Sequence, residues 1–291
     1  MKRQSARTWS LATRTKTAWT IKRIATGAMA GAGLALTIGL AAAPVRAGDD
    51  DAARNARWQD LQQSIFGARQ VVDGSDKIAI AAPDRAMDAA LVPITITVKN
   101  PASVKGIYFI IDDNPAPLAA HVTFGPAGDP TTLGLRVRID QYSYLHAIEE
   151  TTDGQLYETH RFIKAAGGCS APAGGYDDAA LSHIGQMRLR VQNANAGPPR
   201  EVQLLIRHPN FNGMQMDPKT QGYTPARYIK SADVTFDGAQ VLHLDSDISL
   251  ATDPAVSFGV RGAAQGTLAV TARDSDDKVF EHKFAVTPEG S

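Results

Sequence analysis

The chain has 291 residues with equal numbers of basic and acidic side chains and a single cysteine. That length buries an adequate core without disulfides or a metal staple, so stability does not account for the thiol. Eight of the 30 Lys/Arg and none of the 30 Asp/Glu precede residue 48, leaving 22 against 30 and a net charge of −8, which argues against nucleic acid or anionic lipid as partner.

Residues 1–47 read as a cleaved export signal: a basic stretch to Arg23, the Ala/Gly-rich run IATGAMAGAGLALTIGLAAAP, then Val45-Arg46-Ala47 with small residues where a signal peptidase needs them. The run is only weakly hydrophobic and no other segment is apolar enough to span a bilayer, so cleavage near Ala47-Gly48 and release into a periplasm are expected, with no membrane span remaining. Lys22-Arg23 stands where a twin-arginine pair would, so both the Sec and the Tat route stay open. In that oxidising compartment Cys169 has no partner within its own chain.

Within the N-terminal segment 48–76, RWQDLQQSIFG places Trp58, Leu61 and Ile65 on one face of a short helix able to lie on the first domain. From 77 to 164 the period is two: IAIAAP, ITITVKN, GIYFIID and TLGLRVRID alternate apolar and polar residues and are broken by DDNPAP, FGPAGDPTT and TTDG. A second block, 183–291, repeats the style in MRLRVQN, EVQLLIRHP, YIKSADVTFDG, AQVLHLD, AVSFGVRG, GTLAVTARD and VFEHKFAV, with Asp237-Gly238 marking a hairpin turn. Two runs of short strands, each block roughly 100 residues, predict an all-β chain of two immunoglobulin-like β-sandwich domains.

Between the blocks, residues 165–182 contain KAAGGCSAPAGGYDD. Gly167, Gly168, Gly174 and Gly175 carry no Cβ, and the composition predicts a thin, mobile arm holding Cys169 on an exposed connection. From Ile163 the six residues to Cys169 extend at most about 20 Å. An exposed thiolate there is a nucleophile for electrophilic sulfur or carbon; the plain alternative is a Gly/Ala linker that happens to contain a cysteine.

At this point two stretches resemble known proteins. IAIAAP, ALVPITITV, DDNPAPLAAHVTF and RFIKAAGGC are similar to SoxY, the sulfur-carrier subunit whose GGC-containing arm holds sulfur intermediates covalently. MRLRVQN, EVQLLIRHPNFNGMQMD, GYTPARYI, VTFDGAQV and VSFGVRGAAQGTLAVTARD are similar to its partner SoxZ. In this order they resemble the fused SoxYZ-like carriers associated with quinoprotein alcohol dehydrogenases. The resemblance implies two sandwiches packed on each other, Cys169 as the covalent attachment point, no enzymatic activity and no cofactor. The partners it implies are periplasmic redox or sulfur-handling enzymes, including a quinoprotein dehydrogenase and its cytochrome. This chain departs from the carrier pattern after the cysteine, where Ser170-Ala171-Pro172 follow and the arm is tethered at both ends.

Other candidates are weaker. HPNFNGMQMD offers His208, Met214 and Met216 as soft ligands for copper, against the plain reading of a strand end and turn. His121, His146, His183, His243 and His282 are scattered without metal-ligand spacing, and His160, on the strand leading into the arm, is the histidine placed to approach Cys169. Three functions follow: a covalent carrier, a non-catalytic binding or assembly module of a dehydrogenase with Cys169 as mere spacer, and an enzyme or copper-handling protein built on Cys169, His160 or the His208 group.

Overall fold

The computed structural model describes residues 47–172, 181–192, 199–217, 220–262 and 265–287. The segment expected to be an export signal, residues 1–47, lies outside them except for Ala47, as do Gly174 and Gly175. Among the described residues no helix is long and apolar enough to cross a membrane.

The first element is a helix, α1 (Ala47–Phe66), longer than the short one expected. Trp58, Leu61, Ile65 and Phe66 recur on one face and pack on Ile110, Ile148 and Leu156, burying a small cluster separate from the main core. Eight strands follow: β1 (Val71–Asp73), β2 (Ile78–Ala81), β3 (Val92–Val98), β4 (Val104–Ile111), β5 (Leu118–Phe124), β6 (Gly128–Val137), β7 (Ser143–Thr151) and β8 (Leu156–Ile163). Beyond the arm come β9 (Met187–Gln192), β10 (Arg200–Ile206), β11 (Ile229–Phe236), β12 (Ala239–Ser246), β13 (Ala255–Val260), β14 (Gly266–Asp274) and β15 (Val279–Val286).

Alternation places most of these strands. In β3, Val92, Ile94, Ile96 and Val98 are buried while Pro93, Thr95 and Thr97 face out. Proline is tolerated because β2 pairs only Thr95–Val98, leaving Pro93 with a single neighbouring strand. Asp237 and Gly238 both have positive φ, the turn geometry that matches strand twist, and join β11 to β12. Alternation fails in β7, where both faces are covered, one by the inter-sheet core and the other by α1.

The strands form two sheets, in the orders β1-β8-β7-β4-β5-β12-β11-β14-β15 and β2-β3-β6-β13-β10-β9. Each half of the chain contributes to both layers, as a sandwich requires, and the halves share both sheets. β5 pairs antiparallel with β12, Ala120 opposite Ser246 to Phe124 opposite Leu242, and β6 pairs antiparallel with β13. The main core accordingly runs unbroken from Ile96, Phe109 and Leu133 to Leu204, Phe258 and Val270.

The seam between the halves is tight. A Cβ on Gly128 would lie 2.1 Å from the Val241 carbonyl oxygen, so only glycine fits there. Arg261 Nε donates to Asp129 Oδ2 at 3.0 Å across the same line, and the Arg261 amide donates to the Ala127 carbonyl. Replacing Gly128 with alanine is expected to destabilise the protein by about 1–3 kcal/mol, a fall of about 5 °C in midpoint. Calorimetry should still show a single transition; two separate melts would contradict a shared core.

Candidate functional site

The first residues of the arm leave β8 and stay on the body. Lys164 donates its amide to the Asp84 carbonyl, Ala86 donates back to the Lys164 carbonyl, and Ala165 is buried. Gly167 then donates to the Asp140 carbonyl at 2.8 Å and Gly168 to the Ile139 carbonyl at 2.9 Å. Gly167 has a φ of +79°, and a Cβ on Gly168 would meet the Ala89 carbonyl oxygen at 2.1 Å. These two glycines, expected as hinges, let the backbone press against the loop before β3 and the residues that follow β6.

Cys169 is therefore buried, 1% exposed, which corrects the expectation of an exposed thiol. Asn212, in the second half, donates from Nδ2 to the Cys169 carbonyl at 2.7 Å. Asn212 is held in turn: its Oδ1 accepts from the Met214 amide, and its own amide donates to Gln215 Oε1. Thus HPNFNGMQMD, weighed for metal ligands, supplies the clamp on the arm. Only the fold, by bringing this turn to the arm, identifies Asn212; its sequence spacing carries no such signal.

Burial pushes the Cys169 thiol up to about 12, Asp140 adds to the rise, and the nearby Arg138 guanidinium opposes it. At neutral pH the docked thiol is protonated, so it is chemically quiet. Arg138 is itself 1% exposed; Nη2 donates to Thr252 Oγ1 at 2.5 Å and reaches the Asn210 carbonyl at 3.5 Å, while Nε has no hydrogen-bond partner among the described residues. No carboxylate among the described residues forms an ion pair with it. A guanidinium buried in this way costs several kcal/mol unless a negative charge is placed beside it.

The remaining candidates lie elsewhere. His208 is fully buried, with Nδ1 2.8 Å from Asn210 Oδ1 and Nε2 3.6 Å from Asp274; burial lowers its pKa. Met216 is 52% exposed, so one end of that trio faces solvent and the other is enclosed in the core. His160 faces Glu158, Tyr144 and His146 on the sheet surface beside α1, and Cys169 is not among its contacts. His121 stacks on Tyr108, His183 meets Gln186, His243 bridges Asp233 and Asp245, and His282 lies against Phe284.

Family comparisons divide the chain at the same place. Residues 62–169 match the family described as sulfur oxidation protein SoxY, and residues 187–285 match that described as sulphur oxidation protein SoxZ. A search of curated proteins finds no match. Among solved structures, the sulfur carrier protein SoxY from Chlorobium limicola f thiosulfatophilum aligns at 24% identity over 40% of this chain and 99% of its own, with a TM-score of 0.36. The Clostridium thermocellum CbhA fibronectin(III)-like modules align at 15% identity over 72% of this chain and 94% of theirs, with a TM-score of 0.23.

Removing the clamp should release the arm. Asn212→Ala deletes one hydrogen bond worth about 1 kcal/mol, so alkylation of Cys169 by iodoacetamide at pH 7.5 is expected to accelerate about 5-fold. The pH dependence has a defined sign. Because the docked pKa lies above the ordinary value of 9.0, docking contributes fully below about pH 9 and weakens as pH rises toward about 12. Amide exchange at residues 167–169 should therefore accelerate over that range more than base catalysis of exchange alone predicts.

Proposed function

Because the chain belongs to the SoxY and SoxZ families of sulfur-oxidation proteins, with both joined in one polypeptide, we propose that it is a covalent carrier whose cargo is bonded to Cys169. The observation that carries this reading is the position of the thiol: the only cysteine of the chain ends the SoxY match and is gripped by a side chain of the SoxZ-like half. Cycling between a quiet docked state and a released, reactive state suits a group that must hold a cargo between partners and surrender it only at them.

Loading follows from the chemistry. Joining the Cys169 sulfur to another thiol-level sulfur removes two electrons and two protons, so the loading partner must pass electrons to an acceptor. That requirement favours periplasmic redox enzymes as partners, and a quinoprotein dehydrogenase with its cytochrome is the pair proposed here. Export to the periplasm belongs to the same reading. Arg138 supports a sulfur-type cargo with negative charge, since an anion on Cys169 would add to the charge of Asp88 in compensating the buried guanidinium, which forms no ion pair among the described residues. Fusion of the two halves adds an effective concentration on the order of millimolar, turning a two-subunit assembly into a permanent one.

The competing reading is an assembly module in which Cys169 merely fills space under the arm, as buried cysteines commonly do. Intact-mass spectrometry of protein from its native host should show an added mass that disappears on reduction and is absent from Cys169→Ser. A wholly unmodified mass, together with full cellular function of Cys169→Ser, would establish the module instead.

A further inference from the structure

A second cluster of reactive side chains lies on the outer surface of β7 and β8, beside α1. His146 and His160 are directly opposite each other across these strands, although fourteen positions apart in sequence. Glu158 sits between them: its Oε1 is 2.7 Å from His146 Nδ1 and 3.1 Å from His160 Nδ1. One ligand atom from each of the three falls within 4.8 Å of the other two. An ion bonded to nitrogen and oxygen at about 2.0–2.2 Å holds such atoms roughly 3.3 Å apart, so a small rotation of the exposed His160 ring closes the set.

The surroundings of His146 distinguish this group from a chance meeting of surface residues. On its far side Nε2 is 3.0 Å from Asp112 Oδ2, and both side chains are almost fully buried. A carboxylate that takes the distal N–H of an imidazole orients the ring and holds that proton, the arrangement seen behind metal-bound histidines; Nδ1, which donates to Glu158 Oε1 at 2.7 Å, becomes a ligand when an ion replaces its proton. Trp58 of α1 stacks on the ring at 3.7 Å, nearly parallel, and prevents it from swinging away. Asp112 Oδ1 has no hydrogen-bond partner among the described residues, so this buried carboxylate is under-satisfied when no cation is close by. Arg57 pairs with Asp113 and with the Asp112 backbone carbonyl, and among the described residues no Lys or Arg forms an ion pair with Asp112 or Glu158, whose ion-pair partners are histidines.

We propose that His146, Glu158 and His160 form a binding site for a divalent transition-metal ion of the zinc or copper type, with Asp112 as the residue that orients His146. Two imidazoles and one carboxylate suit borderline ions better than magnesium or calcium, which take all-oxygen sets. The His160 side chain is 57% exposed, so the site opens to solvent on that side and a fourth coordination position falls to water or an incoming ligand. The alternative is a purely structural imidazolium, His146 protonated on both nitrogens and bridging Asp112 and Glu158. The proposal is independent of any cargo on Cys169.

The test uses the full chain with Cys169→Ser as background, so that the thiol neither binds nor reduces the metal. Calorimetric titration with Zn²⁺ and Cu²⁺ should give one site of micromolar or tighter affinity that excess Mg²⁺ does not displace. Paramagnetic resonance of the Cu²⁺ form should show nitrogen couplings from two imidazoles. His160→Ala, an exposed change that leaves the core untouched, should weaken binding at least 10-fold and reduce the couplings to one nitrogen, and Asp112→Asn should weaken it about 10- to 100-fold. Absence of binding, binding unaffected by His160→Ala, or an imidazole NMR signal from His146 that keeps both ring protons with one equivalent of Zn²⁺ present would overturn the proposal.

Discussion

Everything described depends on the antiparallel pairing of β5 with β12 and of β6 with β13. Backbone hydrogen bonds cross from one half of the chain to the other in both layers, and the hydrophobic core crosses with them. Two sandwiches joined through a flexible linker would hold no fixed distance between an arm on the first and a loop on the second. Here the seam fixes that distance, so Asn212 of the second half can reach a backbone carbonyl of the arm at 2.7 Å.

The docked arm is held by weak, separable contacts: backbone hydrogen bonds from Gly167 and Gly168, one amide from Asn212, and a buried thiol. Each contributes on the order of 1 kcal/mol, small enough for a partner surface to compete. Burial raises the thiol pKa and suppresses attack by oxidants, while Arg138 keeps a positive charge beside it. A buried thiol and a nearby positive charge thus coincide where the start of the arm meets Asn212 of the second half.

Strands with one face in the core and one in water were legible from alternation: Val92–Val98 alternates in burial, and in the second half buried Val202 and Leu204 alternate with half-buried Glu201 and Gln203. The Asp237-Gly238 hairpin was legible because few residues adopt positive φ in succession. β7 was not, since two covered faces erase the period that would reveal it. The exposure assigned to Cys169 failed for a related reason: Gly/Ala composition reports that a backbone can bend and approach closely, and both solvent and a protein surface satisfy that capacity. The histidines looked scattered because cross-strand neighbours at His146 and His160 are set by hairpin register, which spacing along the chain does not express.

By itself the sequence determined the local periods, the turn residues, the single thiol between glycines and the order of its two family-like blocks, since these follow from side-chain chemistry over a few residues. The tertiary structure alone decided that the blocks share two sheets, that Cys169 is enclosed with Arg138 and Asn212 nearby, and that His146, Glu158 and His160 converge. These depend on which distant strands pair and in what register, a choice made by the packing of the whole core.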